Sequence, residues 1–167
     1  MGKLDNTYLW EKLAQKYTDQ VSLLPDAHNL LTVDVKLAGI IDVLSFLKQD
    51  EELQFIHLTD ITAVHFPLQK KAFEVVYHIH SLVNNIRIRV KVQLDGDNPE
   101  TPTATTVWKG ANWMERETYD FYGIQFLGHP DLRRILNVDD MEVFPMRKEY
   151  PLEDPNRVDK KDLYFGR

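Results

Sequence analysis

The sequence predicts an α+β protein. A single domain over residues 1–128 would hold a mixed or antiparallel sheet covered by helices, and an extended C-terminal arm would follow over residues 129–167. Two neighbouring stretches, 73–82 and 86–94, alternate apolar and polar residues with the period of two that is typical of β-strands. The stretch 37–47 instead repeats its apolar residues at helical spacing. The sequence thus predicts both strands and helices, and because they do not alternate regularly as βαβ units, the α+β class is indicated.

The composition limits the classes of function that the chain can have. Its 167 residues are 43% hydrophobic and 28% charged, which is ordinary for a globular domain, and a net charge of -6 argues against a nucleic-acid partner. The chain has no cysteine, so it holds no disulfide, zinc–thiolate site or cysteine-ligated iron–sulfur cluster. Residues 1–18 lack the apolar core of a signal peptide, and no stretch approaches the ~20 apolar residues of a membrane span. The expected compartment is the cytoplasm.

The N-terminal half carries signals for five further elements. Leu9, Leu13 and Tyr17 recur at helical spacing after possible caps at Asn6 or Thr7, and they predict a first helix. The other four are strands at 21–24, 28–35 and 55–66, the last interrupted near Asp60, and an amphipathic helix at 37–47.

The two alternating stretches predict a hairpin. Asn84-Asn85 lies between them and tolerates the positive φ of a two-residue turn. A turn there pairs apolar residues with apolar residues on one face: Val83 with Ile86, Ile79 with Val90, Tyr77 with Val92 and Val75 with Leu94. The other face is polar and pairs His80 with Arg89, His78 with Lys91 and Glu74 with Asp95.

A central helix is predicted over residues 106–122, ended by Gly123, which supplies the left-handed conformation of a helix C-terminus. Large apolar groups such as Trp108, Trp113 and Phe121 point in different directions around this helix, with charged residues between them. We therefore expect this helix to be buried on two sides, by its own core and by something else.

The predicted arm is rich in charge but has no regular period. Residues 131–167 contain 8 Lys/Arg and 9 Asp/Glu, and prolines interrupt any long helix. Because the segment keeps apolar residues that disordered tails lack, it is typical of an arm that lies on another protein.

Two clusters of side chains invite a chemical interpretation. His78 and His80 share a strand face, which would suit a free-standing metal-dependent enzyme that also uses Glu74 and His57, but the predicted cations opposite them favour a plain polar face. The second cluster consists of Glu115, Glu117, Asp120, His129 and Asp131. We favour ion pairs with partner arginines, or hydrogen bonds from backbone amides, over an acid–base or metal site there. Neither catalytic, cofactor-binding nor metal-binding residues are expected in this chain.

Four motifs resemble the 30-kDa subunit family (the C subunit) of proton-translocating NADH:quinone oxidoreductase, respiratory complex I or NDH-1. They are the stretches 112–117 (NWMERE), 119–124 (YDFYGI), 128–136 (GHPDLRRIL) and 147–151 (RKEYP). The resemblance covers roughly residues 5–151. The chain departs from the family pattern in 141–149, where Arg147 and Lys148 are the residues that match.

The resemblance implies a cofactor-free accessory subunit of the peripheral arm of the complex, on the cytoplasmic side of the bacterial inner membrane. FMN, iron–sulfur clusters and quinone would belong to partner subunits, and the chief partner would be the large quinone-site D subunit. Electron transfer from NADH to quinone, coupled to proton translocation, would be the activity of the whole complex. The equivalent subunit of a membrane-bound hydrogenase or formate hydrogenlyase is the alternative.

The residues expected at the partner interface are those of the central motif and of the arm. Arg133 and Arg134 follow a proline turn and suit bidentate contacts with carboxylates of a partner, so Arg134→Ala is expected to reduce assembly and leave the melting temperature unchanged. The full set is Trp113, Glu115, Arg116, Glu117, Asp120, His129, Pro130, Arg133, Arg134, Arg147 and Lys148.

Overall fold

A five-stranded mixed sheet forms the centre of the protein, in a computed structural model that describes residues 4–25 and 28–150. The strand order is β1-β2-β5-β4-β3, in which β2 and β5 are parallel and the other neighbours antiparallel. The strands are β1 (Val21–Leu23), β2 (Leu31–Val35), β3 (His57–His65), β4 (Phe73–Ser81) and β5 (Ile86–Leu94). The prediction of an α+β fold with a mixed sheet is confirmed.

Three helices and a small second sheet complete the fold. The helices are α1 (Asn6–Lys16), α2 (Ile40–Gln49) and α3 (Ala111–Tyr122), and short 3-10 turns cover Leu37–Gly39 and Ala104–Thr106. Strand β6 (Glu100–Pro102) precedes α3 in the chain and β7 (Gln125–Leu127) follows it, and the two strands pair in parallel. Across the described ranges, none of the helices has the length and hydrophobicity needed to cross a bilayer.

One face of the sheet carries the hydrophobic core. Alternate residues of β4 and β5, such as Val75, Tyr77 and Val90, are fully buried and join one cluster with the apolar faces of α1 and α2. Leu13 of α1 and Leu44 of α2 are equally buried. Burial of each such side chain contributes about 1.5–3 kcal/mol, so this face holds the domain together.

The hairpin register differs from the prediction by two residues. Tyr77 pairs with Val90 and Ser81 with Ile86, so the loop between the strands has four residues instead of two. Asn84 explains the longer loop, because its side-chain amide donates to the carbonyls of Glu52 and Leu53 and to Ser81 Oγ. A shift of two residues keeps every side chain on its face, so the predicted assignment of apolar and polar faces is correct although the pairs are not.

Several element boundaries also differ from the prediction. The N-cap of α1 is Asp5, whose carboxylate accepts from the backbone N–H of Tyr8, and not Asn6 or Thr7. Strand β2 begins at Leu31 because His28 and Asn29 have φ values of 62° and 58°, which no strand accommodates. The predicted interruption near Asp60 is present as an irregularity in the pairing of β3 with β4.

Helix α3 begins at Ala111, five residues later than predicted for it. The chain before it turns tightly, because Thr103 Oγ1 accepts from the backbone N–H of Thr105 and Trp108 Nε1 donates to the carbonyl of Ile56 at 3.1 Å. At the other end Gly123 has a φ of 74° and donates its N–H to the carbonyl of Tyr119, as predicted for the helix end. Trp108 is therefore a core residue outside the helix.

The first part of the predicted arm, residues 129–150, contains neither helix nor strand and packs against its own domain. The N–H of Met146 donates to the carbonyl of Phe121, and the N–H of Lys148 donates to His65 Nδ1. The remainder, 151–167, lies outside the described residues. The boundary at 128 and the contact of the arm with another protein stay predictions.

Candidate functional site

The carboxylate of Asp120 is the centre of the network that joins α3 to the arm. Its Oδ2 accepts from the backbone N–H groups of Ile135, Leu136 and Asn137 at 3.0, 2.8 and 2.9 Å. Its Oδ1 accepts from Asn137 Nδ2 at 3.0 Å and from Arg134 Nη1 at 2.8 Å. Five donors saturate a carboxylate that has no solvent exposure, so α3 and the chain after the proline turn form one unit.

Arg134 extends this network to residues 141–144 of the arm. Its guanidinium donates to the carbonyls of Met141 and Val143 as well as to Asp120, and it lies 5.1 Å from the ring centroid of Phe144. The side chain is 10% exposed. Arg134 therefore cross-links three segments of its own chain and does not reach out towards a partner.

Arg147 makes a second cross-link at the C-terminus of α3. Its Nε donates to the carbonyl of Tyr122 at 2.7 Å, and its guanidinium lies 4.8 Å from the ring centroid of Phe144 and 5.0 Å from that of Phe73. These groups leave no room beside Gly123, where a Cβ atom would lie 2.5 Å from Phe144 Cε2. The glycine is required both by its positive φ and by this close approach.

Glu115 is a second buried carboxylate on α3, one and a half turns before Asp120. It accepts from Thr103 Oγ1 and from the N–H of Ala104, both at 2.6 Å. His129, whose side chain is also fully buried, places its Nε2 4.0 Å from Glu115 Oε2 and 3.1 Å from the carbonyl of Asn112. Because His129 Nδ1 accepts from the N–H of Asp131, the ring proton resides on Nε2.

The two buried carboxylates have opposite electrostatic environments. Burial raises the pKa of Glu115 to about 7, against the opposing hydrogen bonds from Thr103 and Ala104. Burial alone would also raise the pKa of Asp120, but the N–H groups of Asn137 and Leu136, together with Arg134, outweigh it and hold that pKa far below its usual range. The ionised form of Asp120 is thus favoured, whereas the pKa of Glu115 lies near neutrality.

Four of the predicted interface residues make contacts within their own domain. Glu115 and Asp120 were expected to bind partner arginines or backbone amides, and the donors found include the backbone N–H of Ala104 and those of residues 135–137. Arg134 was expected to bind carboxylates of a partner, but its side chain is 10% exposed and binds Asp120 of its own chain. His129 is likewise inside the domain. At these four positions the motif makes contacts within its own domain, and a contact with a partner there stays a prediction.

Of the remaining predicted positions, Trp113, Glu117, Pro130, Arg133 and Lys148 are exposed, whereas Arg116 and Arg147 are partly buried. Trp113 is 60% exposed, Glu117 and Pro130 are exposed, and Arg133 forms an exposed pair with Asp131 at 2.9 Å. Arg116 is half-buried and donates to the carbonyls of Arg133 and Arg134, while Arg147 is tied to Tyr122 and the Lys148 side chain is exposed. Trp113 and Glu117 are four residues apart, so they share one face of α3.

Further apolar groups of the arm are exposed beside this helix, although the sequence interpretation did not single them out. Leu136 is 64% exposed, Val138 62% and Met146 50%. Their signal in the sequence is weak, because isolated apolar residues in an irregular segment show no period. Apolar residues scattered singly over a surface are normal, so these three side chains do not by themselves identify an interface.

The histidines of the polar sheet face do not form a metal site. His78 Nε2 accepts from Arg89 Nε at 2.9 Å, so the lone pair that would bind a metal is occupied. Burial, and next the charge of Arg89, lower the pKa of His78, while Asp60 opposes the shift. Within the described part of the chain, no group of three or more His, Asp or Glu side chains is arranged to hold a metal ion. The metal-dependent enzyme considered above has no support.

Comparison with known proteins gives one family. Residues 33–156 match the family model described as the 30 Kd subunit of respiratory-chain NADH dehydrogenase. The NADH-quinone oxidoreductase C subunit of Bartonella tribocorum is 47% identical over 146 residues, which cover 87% of this chain and 70% of that protein. The same subunit of Brucella ovis is 47% identical over 152 residues, or 91% of this chain and 72% of that protein.

Solved structures share the fold. A trypsin-resistant fragment of Nqo5 superposes with a TM-score of 0.66 at 27% identity, covering 76% of this chain and 99% of the fragment. A chain of a membrane-bound sulfane sulfur reductase, an archaeal respiratory membrane complex, superposes with a TM-score of 0.75 at 24% identity, over 87% of this chain and 85% of that one. At that identity the second likeness concerns the fold alone.

Proposed function

The chain belongs to the family of the 30-kDa subunit of respiratory-chain NADH dehydrogenase, and from that membership we propose that its task is to dock and orient its neighbours in the peripheral arm of NADH-quinone oxidoreductase. The observation that carries this proposal is the outer face of α3. Trp113 is 60% exposed there, on a helix whose other sides are fixed by buried hydrogen bonds. Large aromatic side chains on rigid backbone are the usual anchors of protein interfaces.

We further propose that this chain holds no redox group and takes no catalytic step. The absence of cysteine from the sequence supports this view for iron–sulfur clusters, since their usual ligands are thiolates. FMN, iron–sulfur clusters and quinone would then be bound by partner subunits. The chain would contribute to electron transfer by fixing the relative positions of the subunits that carry these groups.

The large quinone-site subunit is the proposed main partner, on the cytoplasmic side of the bacterial inner membrane. Attachment to the membrane would be indirect, through the complex. Leu136, Val138 and Met146 of the arm are exposed and would be available for such a contact.

Co-purification tests the proposal. A tagged full-length chain should bring down, from detergent-solubilised membranes, an assembly that oxidises NADH and reduces quinone. Recovery of the large quinone-site subunit after mild dissociation by salt would identify the direct neighbour. An assembly that oxidises hydrogen or formate and lacks an NADH-oxidising flavoprotein would contradict the proposal and support the hydrogenase alternative, which the 47% identity to NADH-quinone oxidoreductase relatives does not favour.

A further inference from the structure

A groove of about 270 Å³ lies between α3 and β3, the strand at one edge of the main sheet. Asp60 and Thr62 line it from the strand, Glu117 and Phe121 from the helix, and Met146 from the arm. None of the interactions described so far fills this space.

The walls of the groove are fixed by hydrogen bonds. Thr118 Oγ1 lies 2.8 Å from the carbonyl of Met114 in its own helix and 3.2 Å from that of Ile61, so its single proton is shared between the helix and the strand. The N–H of Met146 donates to the carbonyl of Phe121 at 3.1 Å and holds the arm in place. A preformed groove of this kind needs little reorganisation when it binds a ligand.

The groove is acidic. Asp60 is 51% exposed and Glu117 is exposed, and in the ranges 4–25 and 28–150 no lysine or arginine comes within 4.0 Å of either carboxylate. His78 Nδ1 lies 3.8 Å from Asp60 Oδ2. Because His78 accepts from Arg89, its ring is neutral and Asp60 keeps its negative charge, with the cation of Arg89 on the far side of the ring.

The groove is also apolar along its length. Met146 is 50% exposed and Phe121 is half-buried, so a thioether and an aromatic ring face the same space as the two carboxylates. An arginine combines the properties that this lining demands. Its aliphatic stem packs on apolar groups, while its planar guanidinium stacks on aromatic rings and binds carboxylates through two donors at once.

We propose that this groove binds an arginine side chain presented by an adjoining subunit, with the guanidinium at Asp60 and Glu117 and the stem against Phe121 and Met146. The proposal rests on the proposed function, because it takes the partner to be a subunit of the same complex. It adds the chemical identity of the group that the partner contributes and the place where that group docks.

Competition during assembly tests the proposal. A tagged variant and the untagged wild-type chain are produced together at equal amounts, and the ratio of the two in the purified complex is measured. The test variants are the double substitution Asp60→Asn with Glu117→Gln, and the charge reversal Glu117→Lys. Glu11 is exposed on α1, so Glu11→Gln and Glu11→Lys are matched controls on a distant helix.

We expect the double variant to be incorporated about tenfold less than wild type, and Glu117→Lys still less, because a desolvated charge pair at an interface is lost. The Glu11 controls should be incorporated equally with wild type. The isolated double variant should keep the melting temperature of the wild-type chain.

Three results would overturn the proposal. One is equal incorporation of groove variants and Glu11 controls. Another is a lowered melting temperature with unchanged incorporation, which would mean that the cation belongs to this chain. The third is a fall in incorporation that merely follows a fall in melting temperature. Failure of the proposed function is distinct from all three, since the wild-type chain itself would then be missing from the complex.

Discussion

Replacement of Arg134 by alanine tests the internal cross-link between α3 and the arm. The sequence interpretation expected this change to weaken assembly and leave the domain intact, whereas the structure predicts the reverse order of effects. Asp120 has no solvent exposure, and Arg134 is 10% exposed and bonded to it at 2.8 Å. Removal of one partner from a buried ion pair costs ~3–5 kcal/mol, because the other charge stays desolvated.

The lower end of that range applies here. Asp120 keeps the N–H groups of residues 135–137 and the amide of Asn137 after the substitution, so its carboxylate is not left without donors. The carbonyls of Met141 and Val143 would lose their described side-chain donor and turn to water. We therefore expect Arg134→Ala to lower the free energy of unfolding by about 3 kcal/mol, a large part of the 5–15 kcal/mol typical of a domain.

Urea denaturation of the full-length chain, followed by circular dichroism at pH 7, measures this effect. Arg133→Ala is the matched control, because the Arg133 side chain is 69% exposed and an exposed pair contributes at most about 1 kcal/mol. Arg134→Lys should fall between the two, since lysine keeps the charge but not the planar fork of donors. Equal midpoints for Arg134→Ala and Arg133→Ala would refute the reasoning and return Arg134 to the docking residues.

Three further predictions concern α3 and its ends. Burial raises the pKa of Glu115 from about 4.5 to about 7, so its contribution to the free energy of unfolding is complete below pH 4.5, and about 3 kcal/mol of it is lost as the pH rises through 7. Urea titrations between pH 4.5 and 8 should show this fall in stability for the wild-type chain and not for Glu115→Gln, and parallel curves would contradict the prediction. Gly123→Ala should lower the free energy of unfolding by ~2 kcal/mol or more, because Gly123 has a positive φ and an added Cβ atom would collide with Phe144. Thermal denaturation measures this loss, and an unchanged melting temperature would argue against the close approach. Trp113→Ala should leave the melting temperature unchanged and reduce incorporation into the complex about tenfold, as judged by competition with wild type; full incorporation would remove Trp113 from the interface.

The faces of the sheet were predictable from sequence, but the hairpin register was not. Alternation along 73–82 and 86–94 identifies which side chains share a face, and Tyr77, Val90 and Val92 do lie together on the buried one. A slip of two residues preserves that alternation, so the pattern contains no information on whether Tyr77 meets Val90 or Val92. The choice is made by Asn84, whose amide bonds to carbonyls of residues 52 and 53, a contact between segments distant in sequence.

The internal roles of Asp120 and Arg134 could not be predicted from the sequence for a related reason. Three of the donors to Asp120 are backbone N–H groups of residues 135–137, and the identity of a side chain says little about where its backbone N–H points. Arg134 looks in the sequence like any exposed arginine after a proline. One signal was available, because a helix with polar residues on all its sides has to satisfy some of them internally.

Burial of two carboxylates on α3 explains how an exposed tryptophan on the same helix is held in one orientation. Apolar contacts are non-directional and tolerate rotation of a helix about its axis. Hydrogen bonds to Glu115 and Asp120 do not tolerate such rotation, because each carboxylate reaches its donors in only one orientation of the helix. Ordering Trp113 and Glu117 before a partner arrives lowers the entropy lost on binding. The buried hydrogen bonds of Glu115 and Asp120 therefore fix the orientation of α3, and this orientation places Trp113 and Glu117 for contact with a partner.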